Sequence, residues 1–224
     1  MKKIFLFLVT FLFISVGRSQ YCFGGGLSYL KGFGVTKPYI GFSLFGEFAR
    51  DYESSIYVRA SFYGKNRLNA TGTDIVYLEA LDPLDYSIKF TETIDYVNYT
   101  TIDGGIRYYI IDGYDSGFAL YGGSNIIAIL NQTKRTVGDF DQTKYKLPSS
   151  SPLNGSVINL GFGFTGGAKY TIPAVGTLFL DLSLDYLVAG IASNETAQTI
   201  ANQFYTPLIF GLSLGFRKDF YWLF

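Results

Sequence analysis

Most of this chain alternates: apolar residues and small or polar residues take turns at every second position. A period of two belongs to a β-strand with unlike faces and does not fit a helix. In 56–63, Ile56, Val58, Ala60 and Phe62 share one side, opposite Tyr57, Arg59, Ser61 and Tyr63. In 158–165, Ile158, Leu160, Phe162 and Phe164 oppose Asn159, Gly161, Gly163 and Thr165. In 178–186, Leu178, Leu180, Leu182, Leu184 and Tyr186 oppose Phe179, Asp181, Ser183 and Asp185. In 208–217, Leu208, Phe210, Leu212, Leu214 and Phe216 oppose Ile209, Gly211, Ser213, Gly215 and Arg217. The stretch 40–48 behaves likewise, and weaker alternation runs through 24–31, 94–111 and 117–130. These segments predict eight strands, with no helix after the first twenty residues.

The connections alternate too. Short, turn-forming links stand at 50–54, 112–116 and 173–176. The links between them are longer, at 66–92, 132–154 and 191–204, with one short exception at 32–37. Short turns at one end and long loops at the other are the pattern of a barrel that spans an outer membrane, short ends toward the periplasm. An even number of strands puts both termini on that side.

The beginning of the chain is read separately. Lys2 and Lys3 precede an apolar stretch from Ile4 to Ile14, followed by Ser15, Val16, Gly17, Arg18 and Ser19. This is a secretory signal, 1–19, cut before Gln20, with a barrel domain over 20–224. The apolar stretch is too short for a membrane-spanning helix, which needs ~20 residues. Its removal takes away three of the 18 basic residues, so 18 − 3 = 15 remain against 18 acidic ones.

Alternation alone leaves open which face is inside. A soluble ligand-binding barrel turns its apolar face inward and carries charge outside. Here only 16% of residues are charged, and the polar faces are largely Gly, Ser, Thr, Asn and Tyr. Aromatic residues make up 18%, and Tyr108, Tyr109, Tyr170, Tyr186, Phe220, Tyr221 and Trp222 stand near strand ends, as in an interfacial girdle. The expected fold is therefore all-β: an eight-stranded antiparallel transmembrane up-and-down β-barrel, integral to the cell outer membrane, with both termini periplasmic.

The chain from Gln20 to Phe224 resembles small eight-stranded outer-membrane β-barrels of Bacteroidetes type, with OmpA- and OmpX-like architecture. The resemblance rests on Ser19-Gln20, on the segment from Ile102 to Ile110, on Tyr121-Gly122-Gly123 and on the terminal Phe224. It implies assembly through a last strand with a terminal aromatic residue. The family includes PorT-like accessory proteins of a secretion system, so a place in a secretion or assembly complex is among the roles it implies.

If the apolar side faces lipid, the other side carries Glu47, Arg59, Asp103, Arg107, Lys169, Asp181, Asp185 and Arg217 into the lumen. Buried charges persist only when paired. Four acids and four bases therefore predict a polar plug, with Glu47 diagonal to Arg59 and Lys169 diagonal to Asp181. Two motifs lose their usual meaning in this setting. Gly161-x-Gly163-x-x-Gly166 matches a dinucleotide fingerprint, but that needs a strand turning into a helix. Asp181-x-Ser183-x-Asp185 has the spacing that opens a calcium loop, but Tyr186 stands where Gly is required.

Several functions are excluded or disfavoured. The chain has no histidine, on which barrel enzymes acting on lipid or peptide rely, and a single cysteine, Cys22. Its formal charge is zero and it has no basic cluster suited to nucleic acid. The expectation is a non-enzymatic, porin-like anchor without metal or cofactor, with outer-membrane lipid and lipopolysaccharide around it. Acidic loop 66–92 and basic loop 132–154 are its candidate contacts with a protein partner. The alternatives are a subunit of a secretion complex and a conduit for small hydrophobic solutes.

Overall fold

Each alternating segment forms a strand, and the strands close on themselves. The computed structural model describes residues 20–33, 37–67, 74–85, 89–111, 113–114, 117–148, 154–192 and 207–220. The expected signal at 1–19, most of the 191–204 connection, and Tyr221, Trp222 and Phe224 lie outside the described residues. Eleven strands follow in order: β1 (Tyr21–Gly32), β2 (Tyr39–Ala49), β3 (Ser54–Tyr63), β4 (Asn66–Arg67), β5 (Asp74–Ala80), β6 (Lys89–Ile111), β7 (Phe118–Val137), β8 (Tyr145–Lys146), β9 (Asn154–Ile172), β10 (Gly176–Ala192) and β11 (Leu208–Phe220).

Eight of them form a ring: β1, β2, β3, β6, β7, β9, β10 and β11, every neighbour antiparallel. Closure comes from β1 and β11, in register from Tyr21 opposite Phe220 to Gly32 opposite Ile209. A closed ring leaves no strand edge whose amides and carbonyls would have to enter lipid unpaired. The two faces fall as the alternation predicts. Leu27, Phe42, Val58, Ile102, Ile126, Phe162, Leu182 and Leu214 are exposed on the outside, while Ser28, Ser43, Arg59, Asp103, Ser183 and Ser213 are buried inside.

The ring has the eight strands expected, and three further short strands, β4, β5 and β8, lie within segments expected to be loops. β6 runs for 23 residues against 10 for β3. At ~3.3 Å per residue the surplus carries β6 far beyond the end of β3. There β5 pairs with upper β6, from Asp74 opposite Thr93 to Leu78 opposite Lys89. β8 then pairs with β5, placing Glu79 opposite Lys146 and Ala80 opposite Tyr145. β5, from the expected loop 66–92, and β8, from the expected loop 132–154, thus join upper β6 in one paired extension. Asx turns shape its bends: Leu84 N–H donates to Asp82 Oδ1 at 2.9 Å and Thr143 N–H to Asp141 Oδ1 at 3.0 Å. The Thr143 hydroxyl and amide hold the exposed Asp141 carboxyl below its usual range.

The opposite end is built from short turns tied to each other. Asp51 accepts from Glu53 N–H at 2.9 Å and from the Ser54 hydroxyl at 2.7 Å, which shapes the β2–β3 turn and lowers its carboxyl pKa, the Ser54 bond contributing most. Tyr52 C=O accepts from Tyr114 N–H at 2.9 Å and Glu53 C=O from Tyr109 N–H at 2.8 Å, linking this turn to the β6–β7 connection. Gly113 makes that approach possible, since a Cβ there would sit 2.3 Å from the Tyr52 ring.

Candidate functional site in the barrel lumen

The period of two delivers every second side chain of eight strands into one narrow lumen. Space there is made by glycine. A Cβ on Gly163 would meet the Asp185 carboxylate at 2.3 Å, and one on Gly167 would meet the Tyr121 hydroxyl at 2.7 Å. The glycines of Gly161-x-Gly163-x-x-Gly166 lie inside β9, with strand on both sides of the motif.

All eight inward charges are buried. Six of them form one chain of alternating sign: Arg217, Glu47, Arg107, Asp181, Arg59, Asp103. Glu47 accepts from Arg217 and from the Ser55 hydroxyl, from Arg107 at 3.2 Å and from the Tyr109 hydroxyl at 2.7 Å. Asp181 accepts from Arg107 at 2.7 Å, from Arg59 at 3.2 Å and from the Tyr121 hydroxyl. Arg59 meets Asp103 through two parallel bonds, Nε to Oδ1 at 3.0 Å and Nη2 to Oδ2 at 2.9 Å, the fork geometry that suits guanidinium to carboxylate. The Arg107 guanidinium also lies against Phe45, Tyr57 and Tyr121, 4.1 to 4.7 Å from their ring centres.

The remaining two charges lie off this chain. Asp185 accepts from Asn125 Nδ2 at 2.7 Å and from the Ser183 hydroxyl at 2.9 Å. Lys169 stands over the rings of Tyr114 and Tyr109, at 4.8 and 5.1 Å. Asp181, Ser183 and Asp185 all point inward from β10, and no group of three metal-ligating side chains occurs among the described residues.

Arg59 and Asp103 are direct cross-strand partners, but the other ion pairs of the chain run farther than the expected diagonals. The register is as expected, with Glu47 opposite Tyr57 and Asp181 opposite Gly167. Counting diagonals, however, considers only adjacent strands. In a narrow ring an arginine reaches across the lumen, so Arg107 of β6 takes Asp181 of β10, and Arg217 of β11 takes Glu47 of β2. Glu47 is thereby bound by Arg107 and Arg217, where the diagonal count would give it Arg59.

Tyr109 is a second correction: it lies in the lumen, donating to Glu47, whereas Tyr108, Tyr170, Tyr186 and Phe220 are exposed on the outer surface. Adjacent residues of a strand cannot share a face. Tyr114 is a lumen residue that parity does not reveal. It leaves the short β6–β7 connection, turns into the lumen and is buried there, with Lys169 at 4.8 Å and Arg217 at 4.9 Å from its ring centre. A tyrosine beside glycine in a turn reads as solvent-facing, so the sequence carries no signal for it.

Above the charges, toward the long extension, the lumen changes character. Leu30, Tyr39, Val97, Tyr99, Ile127, Ile129, Leu187 and Ile209 pack into one buried apolar cluster, with Tyr39 and Tyr99 edge to face at 4.4 Å. Above it the buried Asp95 takes Arg135 through two bonds of 2.8 Å. The lumen is thus filled twice, by an ionic layer and by an apolar one.

No protein-family model matches the chain, and no curated protein matches it. Among solved structures, the chain is similar to a major outer membrane protein from Thermus thermophilus, with TM-score 0.56 and 14% identity over 90% of this chain and 99% of that one. It also aligns with Neisserial surface protein A, NspA (TM-score 0.47, 13% identity, 90% and 97% covered), and with the outer membrane protein OprG from Pseudomonas aeruginosa (0.45, 10%, 89% and 96%). At such identities the Thermus protein supports the fold alone: a small antiparallel barrel of the membrane-spanning class.

Proposed function

We propose that this chain is a non-enzymatic integral protein of the bacterial outer membrane, closed to ions, that holds its β5–β6–β7–β8 extension on the cell surface. One observation carries the reading: the faces are inverted relative to a soluble barrel, with leucine, isoleucine and phenylalanine outside and a paired ionic chain inside. A water-facing surface would not carry such an apolar band, and lipid cannot solvate the buried charges. The N-terminal export signal, the Bacteroidetes-type resemblance and the placement of both termini in the periplasm belong to the same proposal. The fold of the Thermus outer membrane protein is consistent with it.

Cell fractionation and gel migration test this directly. The expected result is recovery with outer membranes and a folded band that migrates differently until boiled, because a closed hydrogen-bonded ring resists detergent. Recovery of the folded protein in the soluble periplasmic fraction would defeat the proposal.

A further inference from the structure

Charge on the outer surface is distributed unevenly. Between residues 20 and 73 the carboxylates are Glu47, Asp51 and Glu53. The first lies in the lumen and the other two in the short turn at the opposite end. Where β1, β2 and β3 emerge toward the long extension, the charges are Lys31, Lys37, Lys65 and Arg67, all positive. Three contacts gather the last three. Lys37 Nζ donates to Arg67 C=O at 3.1 Å, Asn66 Nδ2 to Pro38 C=O at 2.9 Å, and Gly64 N–H to Ile40 C=O at 3.1 Å. Lys65 Nζ is held 4.0 Å above the Tyr96 ring.

The position of these cations indicates their partner. On β1, Lys31 continues the outward row of Leu27 and Tyr29. On β2, the exposed Ile40 follows Lys37, and on β3 the exposed Phe62 precedes Lys65. Lys37 and Lys65 thus lie three residues beyond the last exposed apolar residues of β2 and β3, and the exposed Arg67 pairs with Tyr96 of β6, so the four cations gather just above the apolar band, where acyl chains give way to headgroups. A soluble acidic protein would need no such continuity with lipid-facing residues. A phosphorylated glycolipid needs both: apolar surface for its chains and cations for its phosphates. Long lysine and arginine side chains suit this edge because their stems lie on apolar surface while their ends reach the phosphates.

We propose that the outer rim of β1, β2, β3 and β4 is a binding site for the phosphate groups of an outer-leaflet glycolipid, formed by Lys31, Lys37, Lys65 and Arg67. The site rests on the outer-membrane reading above.

The test uses the full refolded barrel in phosphatidylcholine nanodiscs containing a minor fraction of bis-phosphorylated lipid A or of its dephosphorylated form. Retained lipid A is counted by native mass spectrometry. The wild-type barrel should retain the phosphorylated form preferentially, and less so at high salt. Each cation removed should lower that preference by up to about fivefold, and K31Q/K37Q/K65Q/R67Q should lower it by roughly tenfold or more. The control Lys144→Gln, whose side chain pairs with Asp141 on the extension, should leave it unchanged. These lysines and the arginine are on the surface, and heat-modifiable migration verifies that each variant is folded. The single variant Lys31→Gln provides the same comparison should the fourfold one not refold. Equal retention of both lipid A forms by a folded, inserted wild-type barrel would overturn the site while leaving the outer-membrane reading intact. Equal retention by wild type and variant would do the same. A chain that failed to insert at all would instead defeat the reading beneath it.

Discussion

The two halves of the lumen solve the same packing problem with opposite chemistry. Near the short turns the space is filled by an alternating chain from Arg217 through Glu47, Arg107, Asp181 and Arg59 to Asp103. Near the extension it is filled by Leu30, Val97, Ile127, Ile129, Leu187 and Ile209, with two tyrosines. The apolar half gains from removing hydrocarbon from water and tolerates small changes locally. The ionic half gains little from the pairs themselves, since desolvation offsets their attraction, but each member depends on its neighbours. The ionic half should therefore fail abruptly and collectively, and the apolar half gradually.

Breaking the ionic half at its branch point should have the largest effect. Glu47→Ala leaves Arg107 and Arg217 buried without their shared carboxylate, and should cost ~3–5 kcal/mol of stability. Urea unfolding followed by gel migration measures it, and a loss no larger than that of an exposed pair would show that the chain is not cooperative. Asp181→Asn should act in the same direction through Arg59 and Arg107. In the apolar half, Ile129→Ala should cost ~2–4 kcal/mol, in proportion to the cavity it leaves. The same unfolding series would show whether the two losses add, as they should for layers without shared partners.

Smaller effects sharpen the comparison at its ends. Tyr114→Leu keeps the bulk at the base of the lumen but removes the ring between Lys169 and Arg217, and should cost ~1–2 kcal/mol. A loss above that of Ile129→Ala would mean that the tyrosine does more than stack. On the extension, Lys146 and Glu79 form an exposed pair at 3.4 Å, and Lys146→Ala should change stability by ~1 kcal/mol or less. That small effect should vanish at high salt, whereas the Glu47→Ala loss should persist.

The ring and its two faces are legible because lipid and lumen make opposite demands on successive residues, so Phe162 and Thr165 declare their sides unaided. The upper parts of β6 and β7 are not. There both faces are mixed, as in Lys89, Phe90, Thr91 and Glu92, which precede the expected strand 94–111, and alternation loses its contrast. β5 is hidden for the same reason: Ile75, Val76, Tyr77 and Leu78 form a short apolar run inside an otherwise acidic stretch. The identities of the lumen charges can be read from parity, but apart from Arg59 and Asp103, which face each other across β3 and β6, their partners cannot. Pairing depends on which arginine spans the ring, and Arg107 reaches both Glu47 and Asp181, a fact of three-dimensional proximity that strand register alone does not contain.

Ion conduction tests the central claim, that the lumen is closed twice, most directly. The purified wild-type barrel, inserted in planar bilayers at neutral pH, is predicted to show no stable conductance, and Glu47→Ala alone is predicted to destabilise it without opening it, because the apolar layer remains. Steady single-channel currents from the wild-type protein would contradict the account and make this chain a pore.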